Sequence, residues 1–279
     1  MKTRIITGTV ATCLFLPICF FSEYVIFPIV IGLLCMIGVF EMAKCLGFDK
    51  KLVITIPMYI IALGLPIFRY YISYVFKSSI TASFLTCAML LFFGMLIYVL
   101  SYVMLKKNTV NVSEMLTFYA LFVYIVGCFS SIVLVRYGNK GGYLYMLVFL
   151  GAWICDTFAY FTGKFFGKHK LIPEISPKKT VEGSIGGIVF TVISFVIFGL
   201  IVNLGFDAGI SYIKLCIFAV VLSIVSQFGD LIASTVKRQY DIKDYGNLFP
   251  GHGGILDRFD GVMLTAPTLF ILNMALSWF

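Results

Sequence analysis

Nine apolar stretches, each close to the ~20 residues that cross the hydrocarbon of a bilayer, take up most of this chain of 279 residues. They cover residues 5–22, 24–44, 52–68, 80–104, 113–135, 143–163, 184–206, 210–232 and 261–278. A soluble domain carries charge on about a quarter of its residues; here the share is 12%, and 61% of residues are hydrophobic. The expected fold is therefore all-α: a polytopic membrane protein of about nine transmembrane helices, with the lipid bilayer as its surroundings. The first two stretches are parted only by a tight turn near Ser22 and Glu23. The third holds Pro57 and Pro66 and is expected to be kinked or tilted. Met1-Lys2-Thr3-Arg4 before an apolar run has the look of a signal peptide. A second run follows at once and no A-x-A pattern closes the first, so residues 5–22 are read as a retained span.

The formal net charge of +8 does not point to nucleic acid, because the basic residues are scattered between apolar runs rather than gathered on one face. They sort by side instead. With nine spans and a cytoplasmic N-terminus, only Arg69, Lys77, Arg136, Lys140 and Lys214 fall outside, 5 of 21 Lys and Arg; the other 16 fall inside. That split obeys the positive-inside rule, and one span more or fewer would scramble it. The eight cysteines lie in or beside apolar runs without a CxxC pair, and read as small buried hydrophobes.

Acidic residues are as uneven as basic ones: of 13 Asp and Glu, nine lie at or after Asp156. Residues 1–140 are thus read as a scaffold of spans one to five. Residues 141–279 are read as the catalytic region, with polar loops at 164–183 and 233–260. Asp156 and Asp230 sit within apolar runs near one membrane face, where a carboxylate is costly and calls for a partner, a cavity or an ion.

The first loop contains Ser176-Pro177-Lys178-Lys179-Thr180-Val181-Glu182-Gly183. Ser-Pro fixes a turn. Lysines and a hydroxyl suit phosphate oxygens, and the helix N-terminus that Glu182 opens favours anions. A basic loop that only satisfies topology is the competing reading. The second loop runs from Ser234 to Asp260 and interleaves Lys237, Arg238, Lys243, Asp244, Asp257, Arg258 and Asp260 with the turn Pro250-Gly251-His252-Gly253-Gly254. Asp257 and Asp260 share a face if helical. Gly253 and Gly254 let backbone N–H groups come close to a ligand. Carboxylates beside cations at a membrane face fit Mg²⁺ and a polyphosphate. His252 stays open between acid–base catalyst, phosphate donor and turn residue.

The Ser234–Asp260 stretch resembles the signature of the phosphatidate cytidylyltransferase (CDP-diacylglycerol synthase) family: Ser234, Lys237-Arg238, Lys243-Asp244, Pro250-x-His252-Gly253-Gly254 and Asp257-Arg258-x-Asp260 fill its fixed positions. Asp156-Thr157-x-Ala159-Tyr160-x-x-Gly163, Ser176-Pro177-x-Lys179-Thr180-x-Glu182-Gly183 and Gln227-x-Gly229-Asp230-Leu231 are similar to the family too. The N-terminal half matches mainly in hydropathy and in Lys2-x-Arg4-Ile5-Ile6-Thr7-Gly8. The resemblance implies that CTP and phosphatidic acid give CDP-diacylglycerol and pyrophosphate, with a divalent ion held by Asp230 and Asp257. It leaves room for a second cation such as K⁺.

On this reading Lys179, Lys237, Arg238 and Arg258 share the remaining negative charge, His252 positions rather than deprotonates, and Asp230, Asp257, Lys237, Arg258 and His252 carry the chemistry. Ser176, Lys178, Lys179, Thr180, Glu182, Asp156, Ser234, Arg238, Lys243, Asp244, Gly253, Gly254 and Asp260 are the expected nucleotide and substrate contacts. The chain is expected to be integral to the bacterial plasma (inner) membrane with both polar loops cytoplasmic, and a homodimer is compatible with such a bundle. Two rivals make different predictions. A CTP-dependent lipid-alcohol (prenol) kinase would release CDP. An ion-coupled transporter would place its charges near the midplane in inverted repeats, and no repeat is visible.

Overall fold

The structure is a computed structural model that describes residues 15, 17–76, 81–106, 111–138, 140–248 and 253–276. Eight long helices fill it: α1 (Ile26–Cys45), α2 (Leu52–Phe76), α3 (Thr81–Leu105), α4 (Val112–Arg136), α5 (Gly141–Phe166), α6 (Val181–Phe206), α7 (Tyr212–Gln239) and α8 (Leu256–Leu276). All eight are long and apolar enough to cross a membrane, so this is an integral membrane protein. The expected first span, 5–22, lies mostly outside the described residues. Large apolar side chains such as Met104, Leu105 and Leu204 are exposed on the helix surfaces, which suits lipid rather than water.

The helix ends follow local chemistry. Asn111 caps α4, its side chain accepting the Ser113 N–H at 2.9 Å, and Thr180 caps α6 by accepting the Gly183 N–H at 3.1 Å; each satisfies an amide that the helix leaves without a partner. The third span is longer than hydropathy indicates. It continues past Arg69 to Phe76 with Pro57 and Pro66 inside, because the buried Arg69 guanidinium donates to the Tyr137 carbonyl at 3.4 Å and to Ser73. The loop after α5 is also more ordered than its Ser-Pro turn implies. It forms an antiparallel hairpin of β1 (Lys170–Ile172) and β2 (Ser176–Thr180), with Lys170 opposite Thr180 and Ile172 opposite Ser176.

The chain divides into two compact units. The first is Met1–Tyr137 with Asp244–Leu256, the second Gly138–Lys243 with Asp257–Phe279. In the first, α1 packs on α2 and α4, and α3 leans on α2 and α4. Tyr98 donates to the Val53 carbonyl at 2.7 Å and Tyr119 to the Phe92 carbonyl at 2.7 Å. In the second, α6 packs along α5 and α7. Gln227 on α7 donates to Cys155 Sγ on α5 and to the Ser184 carbonyl on α6, both at 3.5 Å. Thr265 on α8 donates to the Val148 carbonyl on α5 at 3.0 Å. Polar bonds between helices hold where lipid gives apolar side chains little reason to prefer each other. All seven described cysteines are free, four of them buried.

Candidate active site

The polar residues of the second unit gather where the C-terminal ends of α5 and α7 meet the start of α8. Helix α7 runs on past its apolar stretch to Gln239, which sets Asp230, Ser234 and Lys237 on one face at four- and seven-residue spacing. Ser234 Oγ donates to Asp230 Oδ1 at 3.3 Å. Lys237 Nζ donates to Asp257 Oδ1 at 2.9 Å. Helix α8 starts at Leu256 rather than at the expected 261, so Asp257 and Asp260 fall in its first turn, where the helix dipole favours acids. The Asp257 side chain is 2% exposed. Removing one partner of so buried an ion pair costs about 3–5 kcal/mol, so Lys237 and Asp257 hold each other in place.

The hairpin supplies the other cation. Successive side chains of a strand point to opposite faces. Lys179 on β2 therefore turns inward and meets Asp230 Oδ2 at 2.6 Å, while its neighbour Lys178 is exposed. Asp156 and Asp260 complete the group. Their charges interact with that of Asp230 and with each other; Lys179 and Arg258 offset Asp156, and Lys237 offsets Asp260. This closeness of α7 and α8 depends on Gly229, where a Cβ would strike the Asp260 carbonyl oxygen.

Other expected residues are placed differently. The Thr180 hydroxyl is buried as the cap of α6. The Glu182 carboxylate turns back onto the loop before β1: it accepts the Lys168 N–H at 3.1 Å and the His169 N–H at 3.2 Å, and lies 2.7 Å from His169 Nδ1. The start of α6 thus already holds an acid, and these two residues fasten the hairpin. Ser176 is half-buried; Arg238, Lys243 and Arg258 are exposed. Asp244, Gly253 and Gly254 belong to the first unit, with Asp244 exposed and Gly254 buried. His252 lies outside the described residues, as do Pro250 and Gly251.

Two further residues matter: Gln227, which the sequence showed within a family-like segment but without a role, and Glu41, which the sequence reading passed over. Gln227 ties α5, α6 and α7 together three residues before Asp230. Glu41, a lone acid in an apolar run of α1, is buried, and a buried carboxylate needs bonds that satisfy it.

Among the described residues no three acidic, imidazole or thiol groups are already drawn into metal-binding geometry. The donor chemistry fits Mg²⁺: Asp156, Asp230, Asp257 and Asp260 offer hard carboxylate oxygens, the atoms that cation takes, and they lie among lysines that would balance added phosphate charge.

Comparison with known sequences bears on what such a cluster serves. A family model described as the cytidylyltransferase family matches residues 2–276. The chain belongs to the cytidylyltransferase family. Its curated relatives in that family include phosphatidate cytidylyltransferase of Bacillus subtilis (strain 168), 38% identical over 98% of this chain and 97% of the relative. The phosphatidate cytidylyltransferases of Staphylococcus saprophyticus and Staphylococcus aureus (strain COL) are each 34% identical over 98% of both chains. Cytidylyltransferase similarity therefore runs through the N-terminal half as well as the signature loops.

Proposed function

We propose that this chain is a phosphatidate cytidylyltransferase: it transfers the cytidylyl group of CTP to phosphatidic acid, forming CDP-diacylglycerol and releasing pyrophosphate for phospholipid synthesis. The observation that carries this reading is the end-to-end similarity to phosphatidate cytidylyltransferases in a membrane chain whose signature residues form the Lys179–Asp230 and Lys237–Asp257 pairs. Orientation follows from the basic residues: the N-terminus and both polar loops are cytoplasmic, facing soluble CTP in the plasma membrane of a bacterium. Phosphatidic acid keeps its chains in lipid and its phosphate at that same interface.

In the reaction a phosphatidate oxygen forms a bond to the α-phosphorus of CTP. The bond from that phosphorus to the α,β-bridging oxygen breaks, and pyrophosphate leaves with the electron pair. The nucleophile is already anionic near neutral pH, so no strong base is required. Asp230 and Asp257 would hold Mg²⁺, which when bound supplies a Lewis acid that offsets charge on the triphosphate. Lys179 and Lys237 sit on those same carboxylates and carry the cationic charge that phosphate oxygens need. Asp156 and Asp260 keep the group acidic, and Ser234 orients Asp230. Exposed Arg238, Lys243 and Arg258 draw the anionic substrates toward the interface.

The test uses CTP labelled in the cytosine ring and membranes containing the protein. Label should pass into a chloroform-soluble product only with added phosphatidic acid and Mg²⁺, and chelation of the metal should stop it. A lipid-alcohol kinase would leave cytidine in the aqueous phase, and that outcome would overturn the reading.

A further inference from the structure

Within the first unit, one carboxylate from the scaffold half of the chain reaches the signature loop. Glu41, on α1, is 4% exposed. Its Oε1 accepts the Ile255 N–H at 2.9 Å and its Oε2 accepts the Leu256 N–H at 3.0 Å. These are amides at the very start of α8, which a helix cannot satisfy from within. A negative group there also complements the helix dipole. The backbone comes close because Gly246 and Gly254 lie against the Glu41 carboxylate, where a Cβ at either would overlap it. One turn earlier on α1, Gly38 leaves room for the Leu256 side chain, so α1 receives both the side chain and the amide of one residue.

We infer that Glu41 is a positioning residue for cytidylyl transfer: by gripping Ile255 and Leu256 it fixes the exit of the Gly253-Gly254 turn and, through the next peptide bond, the placement of Asp257. It touches neither substrate. The inference rests on the function proposed above for its catalytic readout, but the grip itself does not.

Glu41→Gln keeps the size but can accept only through one oxygen, so one of the two amides loses its partner. Full-length protein in lipid vesicles should show a kcat about tenfold to a hundredfold lower, the scale seen when a residue supporting a metal ligand is lost. KM for CTP and for phosphatidic acid should change less than about twofold, because the loss falls on the transition state. Deuterium exchange of the peptide spanning residues 253–260 should quicken about tenfold, with α5, α6 and α7 unchanged. Glu41→Asp, which keeps both oxygens, should recover part of kcat. A Glu41→Gln protein with kcat within about twofold of the parent, or one whose exchange quickens evenly over all helices, overturns the inference. If the unaltered protein transfers no cytidylyl group, the function is wrong, and local exchange alone still decides whether Glu41 holds the turn.

Discussion

Helices α3 and α7 are near in length, 25 and 28 residues, and both qualify as membrane spans, yet they do opposite work. Helix α3 exposes Met89, Leu90, Phe93 and Ile97 and contains no charged residue. Helix α7 buries Ser223, Ser226 and Gln227 and ends in Asp230 and Lys237, both in ion pairs. Apolar length alone places a helix in the bilayer. What a helix does there depends on which polar groups it turns away from lipid, since each must find a partner or a purpose.

The sharpest way to break this contrast is to damage the polar end. Asp257→Asn keeps shape but removes the charge, and should lower cytidylyl transfer by at least about 10²-fold, the loss typical of one preorganised electrostatic group. Steady-state assays in vesicles measure it, and near-normal turnover at limiting Mg²⁺ would remove Asp257 from the proposed metal site. Next come the adjacent lysines. Lys179→Ala, which strips Asp230 of its cation, should cost about tenfold to a hundredfold in kcat/KM. Lys178→Ala should cost no more than about threefold, because an exposed charge contributes little. Equal losses would mean that strand alternation does not decide which lysine acts. The smallest effect concerns glycine. Gly229→Ala should drop the melting temperature by several degrees, since overpacking costs about 1–3 kcal/mol. Gly94→Ala on α3 meets nothing within 4 Å and should leave melting within about 1 °C or raise it. Similar shifts would show that α3 packs as tightly as α7.

Much of this was legible in the residues. Eight of the nine expected spans coincide with helices to within a few residues at most ends, because a bilayer demands long apolar runs. What hydropathy misses is helix that continues through polar residues. Helix α2 passes Arg69, α7 runs on through Lys237 and Arg238, and α8 begins at Leu256 ahead of Asp257. In each case tertiary bonds, not apolar length, set the end. The carboxylates and lysines were visible as a group, but their pairing was not. By residue type Lys178 and Lys179 are alike; the family resemblance singles out Lys179, and the physical reason appears only when β1 pairs with β2 and turns Lys179 toward Asp230. Thr180 and Glu182 fit phosphate contacts by type, and in the folded chain they serve as cap and fastener. Glu41 signalled only that a lone carboxylate in an apolar run needs a partner; which partner was not legible, since Ile255 and Leu256 lie more than two hundred positions away.

That separation sets an order of events during synthesis. A ribosome adds ~5–20 residues per second, so Ile255, 214 positions after Glu41, is made roughly 10–40 s later at that speed. Throughout that interval α1 sits among lipids before the amides that it binds have been translated. The first unit reaches its final contacts only once the chain through Leu256 has been made, and a nascent chain halted short of residue 255 would leave the helix carrying Glu41 without that closure.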